Sequence, residues 1–200
     1  MVKQILVGLS ILGILSTRVL PGIASTELEV VESAALGTRS SPPWSEPVQI
    51  NDPFEGDFIG VFDRNSFFGQ ILNTRARIEI QSLWIPEEAR FLLTTRDRNC
   101  LSGTLHGSLA IRPSCSNFND ARNLITLFLR IGDDVFQVEG ENSVFPVSPA
   151  LAEALQNAPE GDVDIRLVSA SGETVDSEIG EETVEAWKTV YDAAQTLPLD

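Results

Sequence analysis

Polar and apolar residues alternate with a period of two through the middle of this chain. Thr74 to Gln81 places Ala76, Ile78 and Ile80 on one side and Arg75, Arg77 and Glu79 on the other, the pattern of a half-buried strand. Asp57 to Asp63 and Ser66 to Leu72 are short runs rich in Phe, Ile and Val, and Arg64-Asn65 between them predicts a hairpin turn. Arg90 to Thr95, Thr104 to Arg112 and Arg122 to Ile131 continue the alternation. In the last of these, Ile125, Leu127, Leu129 and Ile131 share one face. Gly132-Asp133-Asp134 then signals a tight turn, with Val135 to Glu139 returning antiparallel.

After residue 140 the period changes. Ser148-Pro149 reads as an N-cap followed by proline in the first turn of a short helix that buries Leu151, Ala152 and Leu155 and ends near Asn157. Asp162 to Ser169 alternates again, Ser171-Gly172 turns the chain, and Thr174 to Ile179 returns. Glu181 to Ala194 has Val184, Trp187, Lys188 and Tyr191 at helical spacing, with Glu181 and Glu182 at its positive end. Short strands without intervening helices, then helix, hairpin and helix, predict an α+β fold that is mainly antiparallel β. The body is expected to be a β-sandwich or barrel-like, followed by a C-terminal helix-hairpin-helix unit.

Four segments follow. Residues 1–24 read as a signal peptide: Lys3 precedes an apolar run from Ile5 to Leu15, and Pro21-Gly22-Ile23-Ala24 supplies small residues at the exit. That run is shorter than the roughly 20 residues that span a bilayer, so cleavage is expected, leaving no stable membrane anchor. Residues 25–56 form a proline-rich lead-in or linker of weak order, in which Trp44 and Val48 to Ile50 can dock on the body. Residues 57–140 form the antiparallel body, and 141–200 an α+β unit packed on it.

The expected export matters for the two cysteines, Cys100 and Cys115, because an oxidising compartment favours their joining in a disulfide. The net charge is −15, or −17 once Lys3 and Arg18 are removed, which repels nucleic acid. It is unevenly spread. Residues 64–130 carry nine arginines against five acids, whereas residues 140–200 carry thirteen acids against Arg166 and Lys188.

A single histidine, His106, rules out zinc sites built on two or three histidines, and H-E-x-x-H spacing is absent. Ser108, two residues away on the same strand face, would lie about 6.5 to 7 Å from it, too far for a nucleophile and its base. Phosphate-binding glycine loops are missing too. Trp84 and Trp187 read as packing anchors, with Trp84 at the rim of the core. No metal or cofactor is expected. The constellation worth carrying forward is the arginine set: Arg75 and Arg77 share the exposed face of one strand, and Arg90, Arg96, Arg98 and Arg112 come from neighbouring strands or their ends. Arg75, Arg77, Arg96 and Arg112 are the candidate ligand-binding residues, since guanidinium forks suit carboxylate, sulfate and phosphate. The competing role for these arginines is internal pairing with nearby acids.

The sequence therefore predicts an exported, soluble, non-enzymatic binding or structural module of the cell envelope or extracellular space, directed at an anionic polymer or an acidic partner. The alternative is a hydrolase of envelope or extracellular polymers that works through two carboxylates.

Overall fold

The computed structural model describes residues 28–37, 41–71, 74–101 and 114–196, with side chains described outside 70–75, 97–119 and 193–196. The expected signal segment, the strand expected at 104–112, His106, Ser108 and Arg112 lie outside the described residues.

Two sheets share one core with two helices. The larger sheet has the order β1 (Glu29–Val31), β2 (Pro47–Asp52), β3 (Gly56–Ile71), β4 (Thr74–Trp84), β5 (Glu88–Leu101) and β6 (Ser114–Arg122). It is antiparallel except where β1 meets β2. The smaller sheet, also antiparallel, is built from β7 (Leu124–Ile131), β8 (Asp134–Glu139), β10 (Val163–Ser169) and β11 (Thr174–Ile179), in the order β11-β10-β7-β8. A short β9 (Val144–Pro146) pairs with the start of β5. The fold is mainly antiparallel β with two helices, and the described strands close no barrel.

Three local expectations are corrected by tertiary pairing. Arg64-Asn65 is no turn: β3 runs straight through it, because each residue from Val61 to Ile71 has a register partner on β4, from Trp84 back to Thr74. Arg122 to Ile131 is not one strand. The chain leaves the larger sheet after Arg122 and enters the smaller one at Leu124, with Asn123 alone between. Ser143 pins this switch, accepting the Leu124 amide at its Oγ (2.9 Å) and donating its own amide to the Leu124 carbonyl (3.1 Å). Third, the register slips between Val168 and Ser169. That bulge moves Ile125 to the surface while Leu124, Leu127, Leu129 and Ile131 stay buried.

The inner face of the larger sheet presents Val61, Ile78, Ile80, Trp84, Phe91 and Leu93 to a core completed by the smaller sheet and both helices. Helix α1 (Pro149–Gln156) begins at Ser148, whose Oγ accepts the Leu151 amide at 3.2 Å, and it buries Leu151 and Leu155. Helix α2 (Glu181–Thr196) buries Val184, Trp187, Val190 and Tyr191. Trp187 meets Trp84 edge-on at 4.8 Å between ring centroids, so Trp84 lies inside the core and not at its rim.

The lead-in is more ordered than its prolines suggest. Pro47 takes the first position of β2, where a missing N–H is tolerated. Val48 and Ile50 join Phe62 and Leu83 in a second apolar cluster on the outer face of the larger sheet, covered by Ala34, Leu36 and Trp44. Among the described residues, nothing besides that strap covers the outer face.

Candidate functional site

The open part of the outer face is a grid fixed by register. In one row Phe68 of β3 stands opposite Arg77 of β4, Arg77 opposite Arg96 of β5, and Arg96 opposite Asn119 of β6. The next row is Ser66, Glu79 and Thr94, and the next Arg64, Gln81 and Leu92. Alternation puts these residues on one face because their neighbours Phe67, Ile78, Ile80 and Leu93 belong to the core on the other.

Glu79 sits at the centre with 1% of its surface exposed. Its Oε1 meets Arg64 Nη2 at 2.9 Å and accepts from Gln81 Nε2 at 2.9 Å. Gln81 in turn accepts the Gly37 amide at 3.0 Å, tying the strap to the face. Glu79 Oε2 faces Arg96 Nη2 at 3.9 Å, beyond hydrogen-bond reach, and has no hydrogen-bond partner. Arg96 Nε is buried and also unpartnered. Arg77 is exposed and donates to Ser66 Oγ at 3.1 Å, with no ion pair among the described residues. Two guanidiniums, those of Arg64 and Arg96, thus flank one carboxylate, and Arg77 stands in the adjoining row. Arg64 also lies over the Trp44 ring, 5.6 Å from its centroid.

Two of the four predicted ligand-binding arginines, Arg77 and Arg96, are thereby brought together. Arg75 lies in β4 two residues before Arg77, and Arg98 in β5 two residues after Arg96; their side chains are outside those described, as is all of Arg112. Arg64 was missed because the sequence pattern placed it in a turn. Glu79 carried a signal, sharing its alternation with Arg75 and Arg77.

The other described arginines are internally paired. Arg90 forks onto Glu55 and meets Glu88 Oε1 at 2.6 Å; the Glu55 bond, more than any other contact, raises the guanidinium above its ordinary range. Arg122 pairs with Asp120 and Glu173. Across the outer face of the smaller sheet Arg130 pairs with Asp164, and Arg166 with Asp176. Between these pairs lies a cavity of about 420 Å³ bordered by Phe128 and Val135.

A second polar cluster is buried where β3 meets α2. Asp63 Oδ1 accepts from Thr183 Oγ1 at 2.8 Å, and that hydroxyl is 2.9 Å from Ser45 Oγ. Asp63 Oδ2 has no partner. Burial pushes this carboxyl up to about 6, against the opposing pull of Thr183 and of the Arg64 and Gly180 amides. Nearby, a groove of about 340 Å³ is lined by Ser45, Glu46, Glu182 and Glu185 among others.

Cys100 and Cys115 are register partners on β5 and β6. Their side chains lie outside those described, and no disulfide is seen among the described residues. Among the described residues, no group of three or more His, Cys, Asp or Glu is placed to hold a metal ion, and no helix is long and apolar enough to cross a membrane. The chain matches no family model, no curated protein and no solved structure.

Proposed function

We propose that the chain is an exported, non-enzymatic binding module that holds an anionic polymer or an acidic partner on the outer face of its larger sheet. The observation that carries this reading is Arg77, exposed and free of any carboxylate among the described residues, directly opposite Arg96, which itself faces the single buried carboxylate of Glu79. Paired planar forks are the donors suited to carboxylate, sulfate or phosphate oxygens. Because the chain as a whole is negative, attraction has to operate locally, within a screening length of about 8 Å at physiological ionic strength. Export rests on the apolar run of the first 24 residues.

The test is calorimetric titration of the protein with polygalacturonate, dextran sulfate and neutral dextran. The charged polymers should bind and the neutral one should not. Arg77→Ala should weaken binding about tenfold, as expected for loss of hydrogen bonds to a charged group. Binding that is absent at low salt, or indifferent to Arg77→Glu, overturns the reading. Release of reducing ends from these polymers, lost in Glu182→Gln or Glu185→Gln, would put a carboxylate-dependent hydrolase working in the α2 groove in its place.

A disulfide between Cys100 and Cys115 belongs to the same reading. Directly opposed antiparallel residues have Cα atoms about 4.5 to 5.5 Å apart, within the range of about 4.4 to 6.8 Å that a disulfide spans. The bond would contribute on the order of 3 kcal/mol by closing the segment between β5 and β6. Mass measurement after alkylation without reductant should find no modified cysteine; two alkylated thiols exclude the bond.

A further inference from the structure

We infer that the anion taken by this face is carried on a sugar ring, and that Phe68, Arg77 and Arg96 form a subsite for an acidic glycan. The inference rests on the anion-binding reading of the same face and adds the ligand class. Phe68 is 70% exposed, and its place is fixed. Its neighbour Phe67 packs into the core from the opposite side of β3, and a one-residue slip that buried Phe68 would expel every core residue of the strand.

Single exposed apolar residues are common; the neighbours of this one give it meaning. Phe68 is the direct cross-strand partner of Arg77, and Arg77 of Arg96. Adjacent strands are about 4.8 Å apart, so the row spans about 10 Å across the sheet. An aromatic ring without a polar tip offers a flat apolar surface to the C–H face of a pyranose, while guanidiniums beside it fork the carboxylate or sulfate on that ring. Phe68 stacks and the two arginines grip, so the glycan runs across the strands toward Asn119, the next residue of the row.

Other anionic partners fit less well. Among the described residues Phe68 is the only exposed large apolar side chain of this face; Val30, Phe54, Ile125 and Val135 lie elsewhere, which gives a bilayer little to hold. Single-stranded nucleic acid stacks on successive aromatics in a basic channel, whereas here one ring stands on a chain of net charge −15. An acidic peptide would use the arginines and have no use for the ring.

The experiment titrates the purified protein and its Phe68→Ala, Phe68→Tyr and Arg77→Ala variants with oligogalacturonate, a sulfated oligosaccharide, polyglutamate and oligo(dT). An acidic sugar should bind more tightly than polyglutamate or oligo(dT), and the comparison of uronate with sulfate identifies the anion. Phe68→Ala should weaken sugar binding about tenfold, the scale of one lost aromatic contact, and leave polyglutamate unchanged. Phe68→Tyr should retain it, and Arg77→Ala should weaken every polyanion. Equal binding of polyglutamate and sugar with Phe68→Ala silent overturns the glycan assignment and leaves the anion-binding face standing. Tightest binding of oligo(dT) overturns it too, and binding of none of the four removes both readings. The exposed position of Phe68 lets its variants fold, which circular dichroism checks.

Discussion

Replacing Trp187 with alanine should destabilise the protein by about 3–5 kcal/mol, the usual cost of deleting a buried large aromatic. Trp187 has no exposed surface and touches Trp84, which meets Phe91 at 5.5 Å, and Phe91 meets Phe145 at 5.7 Å. This aromatic chain joins α2 to the larger sheet, and the same core continues into the smaller sheet through Leu127, Leu129 and Ile165. Truncation therefore opens a void where three layers meet. One term opposes the loss: Trp187 Nε1 is buried without an acceptor, so its removal also removes an unsatisfied donor. Trp187→Phe deletes the donor and keeps a six-membered ring, leaves a smaller void, and should cost less than the alanine change. Urea unfolding measures both. A loss below about 1 kcal/mol for Trp187→Ala would show that α2 is not packed as described.

Asp63→Asn should change how stability depends on pH. The carboxyl is 4% exposed and is pushed up from 3.8 to about 6 by burial. For a group raised on folding, the contribution to stability is whole below the unfolded value and is lost as pH rises through the folded one. Between about pH 4 and about pH 7.5 the parent should lose about 2–3 kcal/mol at this position. Asparagine has no charge to lose. It keeps an oxygen for Thr183, and sets its amide where Asp63 Oδ2 has no partner. Asp52 and Asp176 act in the opposite sense, held low chiefly by the Ala34 amide and by Arg166 respectively. The informative quantity is therefore the difference between variant and parent, which should move in favour of the variant as pH rises. A difference that stays flat across this window would mean that Asp63 ionises normally in the folded protein.

What the sequence made legible was local. The alternation of Ala76, Ile78 and Ile80, the Ser148-Pro149 start of α1 and the Val184–Trp187–Tyr191 face of α2 need only neighbours within a few residues. What it hid depends on partners far along the chain. Asn65 looked like turn chemistry until pairing with Ile80 held it in a strand. Ile125 left the core because Val168 and Ser169, some forty residues on, impose a bulge. The prolines around β2 masked a strand whose Val48 and Ile50 are completely buried. The binding face was half legible for the same reason: Arg77 belongs to an obvious alternation, but its meeting with Arg96, Arg64 and Phe68 is a matter of register across three strands.

Arginine-directed modification with phenylglyoxal, read by peptide mass mapping with and without saturating oligogalacturonate, tests the binding face most directly. The ligand should protect Arg77 and Arg96, while Arg130 and Arg166 on the smaller sheet react as before. Protection of Arg130 and Arg166 with Arg77 still reactive would contradict that placement.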